Sequence, residues 1–285
     1  MATDISQRIR ISYPGFSKGQ KKIANAILND YDKVAYMTAA KLGKYVGVSE
    51  STVVRFANEL NFEGYSEFQR AVQELVRTKL TPNQRIEVTK QRMGSGDILE
   101  NVMESDINKI RYTLERINRD DFYKSVDAIL SAKTIYVMGA RSAESLAQVL
   151  KYNLSLIFDN VKFVKPSSTA EVFEQMISIS EDDILIAFSF PRYSSKMVSA
   201  VKYASNNGAK VVVFTDSNIS PLAEHATYLL TAQSDMASFM DSLVAPISII
   251  NAIIVEITRR REKEITRRFD KLEKVWDEYQ VYTKR

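Results

Sequence analysis

Apolar residues recur at helical spacing through the first eighty positions of the chain and then, beyond residue 130, in short strand-like runs. In residues 37–60, MTAAKLGKYVGVSESTVVRFANEL, the positions Ala39, Ala40, Leu42, Tyr45 and Val46 form one helical stripe. Gly47 and Val48 predict a tight corner. Ser49 then predicts an N-cap for a second helix, in which Val53, Val54, Ala57 and Leu60 repeat. Helix, glycine-containing turn, helix is the layout of a helix-turn-helix, whose second helix lies in a DNA major groove. Ser51, Thr52, Arg55 and Asn58 are left on the outer side of that helix, with Ser49 at its start. Small hydrogen-bonding groups plus one Arg are the types that reach base edges and phosphates. A helical hairpin with an ordinary polar face has the same spacing, so the rest of the chain has to decide.

On either side the helical rhythm continues. Ser17-Lys18-Gly19-Gln20 has the form of a capping box, followed by Ile23, Ala24, Ile27, Leu28 and Tyr31. Ser66-Glu67-Phe68-Gln69 repeats that signature ahead of Ala71, Val72, Leu75 and Val76. An all-α domain over residues 1–80 follows, with at least four helices. Residues 81–106 are polar and carry Pro82 and Gly94-Ser95-Gly96, so they read as a linker. A helix resumes through Ile107, Ile110, Leu114 and Ile117.

From there to residue 285 the pattern is α/β. Apolar runs at 134–138 (TIYVM), 161–164 (VKFV), 184–188 (ILIAF), 210–214 (KVVVF) and 227–230 (TYLL) alternate with helical stretches such as 143–158 and 196–206. Near-continuous apolar strands separated by helices predict a parallel sheet covered on both faces. A long helical pattern from Ser248 to Tyr279 closes the chain, with Ile253, Ile257, Ile265, Phe269, Leu272 and Trp276 on one side. It reads as packing against its own sheet domain or a partner subunit, with an interaction arm as the other reading. Together with the apolar positions near 107–117 it could bury a dimer interface.

Charge sharpens the division. Residues 1–92 carry 15 Lys and Arg against 9 Asp and Glu, and the remainder 24 against 26. The positive surplus therefore sits with the helix-turn-helix, as counterion-release binding to duplex DNA requires. Lys18, Lys41 and Lys44 lie near helix starts or on outer faces and suit phosphate contacts. The chain has no Cys and one His, His225, which leaves no disulfide and no Cys or His metal cluster. No metal and no cofactor are expected. The first residues, MATDISQRIR, lack the apolar core of a signal peptide, and the most apolar stretch, 243–257, is too short and polar to span a bilayer. A cytoplasmic protein with no membrane partner is expected.

The predicted strand ends hold the second set of chemistry. The first strand ends in Gly139-Ala140-Arg141-Ser142 and the third in Ser189-Phe190-Pro191-Arg192-Tyr193-Ser194-Ser195, each ahead of a helix. In a parallel sheet ligands bind at the carboxyl ends of the strands. Hydroxyls and backbone N–H groups at a helix start, with Arg beside them, suit an anionic group such as phosphate. Arg141, Ser142, Ser189, Arg192, Ser194 and Ser195 are the candidate ligand-binding residues. The competing reading makes Ser142 and Ser194 plain N-caps.

The combination resembles the RpiR-type bacterial transcription regulators, which join an N-terminal helix-turn-helix domain to a sugar isomerase (SIS) domain. The matching stretches are KLGKYVGVSESTVVRFANELNFEGYSEFQ (41–69), GARS (139–142), SFPRYS (189–194) and GAKVVVFTDSNISPLAEHA (208–226). The resemblance implies a DNA-binding regulator whose SIS domain senses a phosphorylated sugar. Many such domains follow the third strand with Ser-x-Ser-Gly-x-Thr. Here Ser189 takes the first Ser and Ser194 the Thr, while Pro191 and Arg192 replace the second Ser and the Gly. SIS domains also serve sugar-phosphate isomerases and amino-sugar enzymes, which need a base, usually Glu, and often a His. His225, Glu144 and Glu171 are available only by location, so regulation without catalysis is the expectation, with no catalytic residues. A homodimer or tetramer on a duplex operator is expected, because half-site binding takes two recognition helices.

Overall fold

The computed structural model describes residues 5–79, 81–93, 96–235 and 238–282 and separates into two compact units. The first comprises Met1–Ile98 with Asp235–Asp241, and the second Leu99–Ser234 with Ser242–Arg285.

The first unit is helical: α1 (Ile5–Ser12), α2 (Lys18–Asn29), α3 (Tyr31–Val34), α4 (Ala39–Val46), α5 (Glu50–Glu59), α6 (Tyr65–Lys79) and α7 (Pro82–Met93). Local chemistry sets most of the starts. Ser17 accepts from the Gln20 N–H while the Gln20 side chain accepts from the Ser17 N–H, the expected capping box. Thr38 caps α4 and Ser49 caps α5. At Ser66 the expected cap is absent. The α6 helix already includes Tyr65, and Glu67 instead accepts from the Glu63 N–H at 2.7 Å. The core runs along an aromatic chain in which Phe56 meets Phe16 at 5.0 Å and Phe68 edge-on at 5.7 Å. Phe56 is fully buried, and so is Ile9 on α1, a helix outside the expected set.

The stretch 81–106, read from the sequence as a linker, carries α7 and the beginning of the next helix. Pro82 starts α7 rather than interrupting it, because a first-turn residue needs no intrahelical N–H bond. Thr81 and Gln84 supply a reciprocal cap, with N–H to oxygen distances of 3.0 and 3.3 Å. Gly94 and Ser95 of the expected break lie outside the described residues.

The second unit orders its elements as α8 (Ile98–Arg116), α9 (Arg119–Ser131), β1 (Ile135–Gly139), α10 (Ala143–Ile157), β2 (Val161–Val164), α11 (Thr169–Gln175), β3 (Ile184–Phe188), α12 (Ser195–Asn206), β4 (Lys210–Thr215), β5 (Tyr228–Thr231), α13 (Val244–Arg260) and α14 (Glu262–Glu278). The five strands are all parallel in the order β2-β1-β3-β4-β5. Residues alternate between two apolar layers. Ile135, Val137, Ile186, Phe188, Val212 and Phe214 pack under α9, α10 and α13. Tyr136, Met138, Leu185, Ala187, Val211 and Val213 pack under α11 and α12. Phe188 and Phe214, paired in register, stack at 4.3 Å. The expected single C-terminal helix is two helices that part at Arg261. There the Arg261 guanidinium donates to the Leu130 carbonyl at 2.6 Å, which holds the corner against α9. The 259–261 arginine run is engaged within the fold. Arg259 and Arg260 both bind Glu256, and Arg260 also binds Asp127. Those bonds, the Arg259 one foremost, hold the Glu256 carboxyl down to about 2.

Candidate nucleic-acid interface and anion-binding edge

In the first unit α4 and α5 meet at a corner made by two glycines. Gly47 is left-handed at φ 72° and ends α4, a conformation that costs a residue with a Cβ about 1–2 kcal/mol. Gly43 lies under the corner, where a Cβ would stand 2.8 Å from the Val48 carbonyl oxygen. The buried side of α4 is thus Ala39, Leu42 and Gly43, while Ala40 and Tyr45, expected in the stripe, are exposed. Gly43 needs no side chain to be a core residue, which is why an apolar count passes over it. On α5 the buried face is Val53, Phe56 and Ala57.

The outward side of α5 presents Ser51, Arg55 and Asn58, all exposed. The Arg55 side chain donates to the Ser51 carbonyl at 3.4 Å, so it lies along the helix towards its start. Ser49 and Thr52 are more committed. The Ser49 oxygen accepts from the Thr52 N–H and bonds the Ser51 and Thr52 hydroxyls at 2.9 and 2.8 Å. The α2 start packs on this corner, because a Cβ on Gly19 would meet Val48 at 3.4 Å and Thr52 at 3.6 Å. That puts the N-terminal ends of α2 and α5, both electropositive, on one side of the unit. Lys18, Lys41 and Lys44 are exposed. The Gln20 amide binds Glu59 and so fixes α2 to the far end of α5.

In the second unit β1 and β3 are neighbours, and the chain turns to opposite sides after them. This is the switch point of a 2-1-3-4-5 sheet, where a crevice opens at the carboxyl ends. The loops there are those holding Arg141, Ser142, Ser189, Arg192, Ser194 and Ser195. Gly139 allows the first of them to turn tightly, since a Cβ would stand 2.4 Å from the Ala143 carbonyl oxygen. Arg141 and Arg192 both adopt the left-handed conformation, at φ 59° and 64°. Arg192, which stands where the Ser-x-Ser-Gly-x-Thr pattern has Gly, adopts a conformation that glycine reaches freely, at a strain of about 1–2 kcal/mol. Such strain concentrates at functional sites.

Ser142 and Ser194 occupy the N-cap positions of α10 and α12, yet neither side chain makes a capping bond. Plain capping, the competing reading for both, is absent. Ser189 is buried, with its N–H on the Phe214 carbonyl at 3.0 Å. Ser194 and Arg192 are half-buried and Ser195 is exposed. The edge also holds Tyr193, whose hydroxyl donates to Asp216 after β4 at 2.7 Å. On the β2 side Ser168 caps α11, and Lys196 donates to the Ser167 carbonyl. The Ser167 hydroxyl bond and the nearby Lys196 lower the Glu171 carboxyl below its usual range. His225 stands in a short turn ahead of β5, away from these loops in sequence. Among the described residues no cluster of His, Asp and Glu could hold a metal ion. No helix among them is long and apolar enough to cross a membrane.

The helix-turn-helix model of the rpiR family matches residues 3–79, and the SIS domain model residues 128–256. An HTH-type transcriptional regulator of Clostridium perfringens is 24% identical over 253 residues, 87% of this chain and 90% of the relative. The HTH-type transcriptional regulator HexR of Escherichia coli is 24% identical over 268 residues, 90% of this chain and 88% of the relative. The crystallised NanR protein of Vibrio vulnificus, complexed with ManNAc-6P, is 21% identical, covers 98% of this chain and 99% of its own, and superposes with a TM-score of 0.62. The chain thus joins a helix-turn-helix domain of the rpiR family to an SIS domain.

Proposed function

We propose that this regulator binds an operator through α5 and that a phosphorylated sugar or a similar anionic metabolite, seated at the β1/β3 edge, controls that binding. The observation that carries the reading is the pair of loops at the switch point. Each brings a left-handed Arg and a serine hydroxyl that no helix cap uses to the carboxyl end of the sheet. A phosphate takes both, through charge-assisted donors and hydroxyls. The relative from Vibrio vulnificus, complexed with a sugar phosphate, supports the ligand class. On the DNA side Ser51, Arg55 and Asn58 would meet base edges. Lys18, Lys41 and Lys44 would meet phosphates, and Ser49 and Thr52 would shape the helix start. DNA binding is assigned to residues 1–80 and sensing with dimerisation to 107–285, with 81–106 connecting them in a cytoplasmic protein.

The assembly is a homodimer or a tetramer. On α8 the polar residues Lys109 and Thr113 are buried, while Leu99, Met103, Ile107 and Leu114 are each more than half exposed. A helix turned apolar side out needs a cover. Glu100 and Glu104 lie at one end of this stripe and Arg111 and Arg116 at the other, so antiparallel pairing of two copies matches opposite charges. Enzymatic turnover is not part of the proposal. A thermal-shift series with phosphorylated sugars and amino sugars tests the sensor reading, because a ligand that binds the folded state raises the melting point. The effector then has to change operator affinity. Steady product formation in the same mixtures would favour an isomerase.

A further inference from the structure

The last helix of the sheet unit carries a regular apolar seam that its own core covers only halfway. On α14 the residues Ile265, Phe269, Leu272, Trp276 and Tyr279 follow one another at steps of four and three, the period of a helix that packs along another helix. Ile265 is buried and Phe269 packs beside it on the sheet unit's core. Further along the seam comes into the open. Leu272 and Trp276 are half-buried, Val275 is 48% exposed and Tyr279 72%.

The end of the helix adds to this surface. Gln280 is left-handed at φ 52°, and the Val281 N–H donates to the Trp276 carbonyl at 2.9 Å, so the chain doubles back on the last turn. Tyr282 then meets the Trp276 ring edge-on at 5.5 Å. Trp276, Tyr279, Val281 and Tyr282 thus form an apolar tip, and Asp277 and Glu278 stand exposed beside it. Nearer the start of α14, a groove of about 450 Å³ lies between that helix and the end of α10. Ile157, Leu272 and Val275 line it, with Arg267, Arg268 and Lys271, and Glu264 is the acid among the lining residues. Arg268 binds Asp159 at 2.8 Å, whereas Lys271 and Glu278 are exposed and pair with no opposite charge among the described residues.

We infer that α14 docks on a second copy of itself: two α14 helices pair antiparallel, and each sets its Trp276 tip in the other's groove. One chain supplies both halves of the contact, an apolar tip flanked by acids and an apolar groove flanked by cations, which is what a self-complementary two-fold contact needs. The seam sets the register. Leu272 of one copy lies across from Trp276 of the other, and the reverse. Lys271 and Glu278 are two turns apart and so share one flank of the seam. In an antiparallel pair each flank meets its own counterpart, and this register brings Lys271 of each copy level with Glu278 of the other. The two-fold doubles that attraction. A second two-fold contact beside the one on α8 takes the assembly to four copies. That count rests on the α8 reading; the α14 contact does not.

Sedimentation velocity on the full-length protein tests this with Lys271→Glu, Glu278→Lys and the double exchange. The wild type should run as four copies and each single variant as two, with the α14 association weakened by about tenfold or more, because a reversal sets like charges opposite each other twice. The double variant should return to four copies, a rescue that damage to the fold would not give. The chain's single Trp supplies a second reading. Trp276 emission should move to shorter wavelength as the wild type is concentrated through its association range, and should stay put in Lys271→Glu over the same range. Equal mass and equal Trp276 emission in wild type and Lys271→Glu would overturn the α14 contact, and so would a double variant that stays with the single ones. A fall to single copies in Lys271→Glu would uphold the α14 contact and overturn the α8 one, so the two failures are told apart.

Discussion

The serine ahead of α5 and the serines ahead of α10 and α12 hold the same position in their helices and are used differently. Ser49 accepts the Thr52 N–H, whereas Ser142 and Ser194 cap nothing. In the helical unit the hydroxyls at helix starts serve the fold: Ser17, Thr38 and Ser49 all accept backbone N–H groups. At the sheet's switch point they stay out of the caps, and the arginines beside them carry backbone strain. A hydroxyl that caps no helix, near a residue held in a costly conformation, is what sets these two loops apart from the helix starts of the other unit. The two units share a second device. Each has a glycine packed against backbone at its candidate corner, Gly43 in one and Gly139 in the other.

The glycine corners give the largest expected effects. Gly139→Ala drives a Cβ to 2.4 Å from a carbonyl oxygen and should cost the sheet unit about 3 kcal/mol. Gly43→Ala, at 2.8 Å, should cost the helical unit about 2 kcal/mol and weaken operator binding. Calorimetry that resolves the two units checks both, and a Gly139→Ala protein melting like the wild type would break the parallel. Next in size, Arg55→Ala should lose roughly 1–3 kcal/mol of operator binding if the side chain reads a base. Titration against salt checks it: unchanged affinity with an unchanged salt slope removes Arg55 from the interface.

The serine comparison itself is sharpened by three single substitutions. Ser49→Ala should destabilise the helical unit by about 1 kcal/mol through loss of a cap. Ser142→Ala and Ser194→Ala should stay within about 0.5 kcal/mol of wild type in stability while losing the thermal shift with sugar phosphates. Equal losses of stability at all three positions would erase the distinction. The smallest effect separates the units by pH. Glu256, on α13, titrates at about 2 in the folded protein against an ordinary 4.5. A depressed carboxyl stabilises the fold above the unfolded value, and that contribution disappears as pH falls from about 4.5 towards 2. Glu256→Gln should flatten the acid limb of the sheet unit's stability over that window and leave the helical unit's limb unchanged. An unaltered limb would show that the Arg259 and Arg260 bonds do not matter to stability.

The sequence by itself determined the fold class of each part, helical ahead of a parallel α/β sheet, and where the strands lie. The VKFV and ILIAF strands lie where the apolar runs put them, and α12 begins one residue before the expected stretch. Those features depend on contacts within a few residues: alternation along a strand, i to i+4 bonds in a helix, a cap three residues from its N–H. Tertiary structure decided what depends on distant neighbours. It made Pro82 the start of a helix, left Tyr45 outside the core and Gly43 inside it, and set β1 beside β3 so that two loops fifty residues apart face one crevice. It also buried Arg85, on α7, against Asp241. A charged residue in a polar stretch gives no local sign that it will lose its water, because the carboxylate it bonds is supplied by a strand-to-helix connection more than 150 positions away.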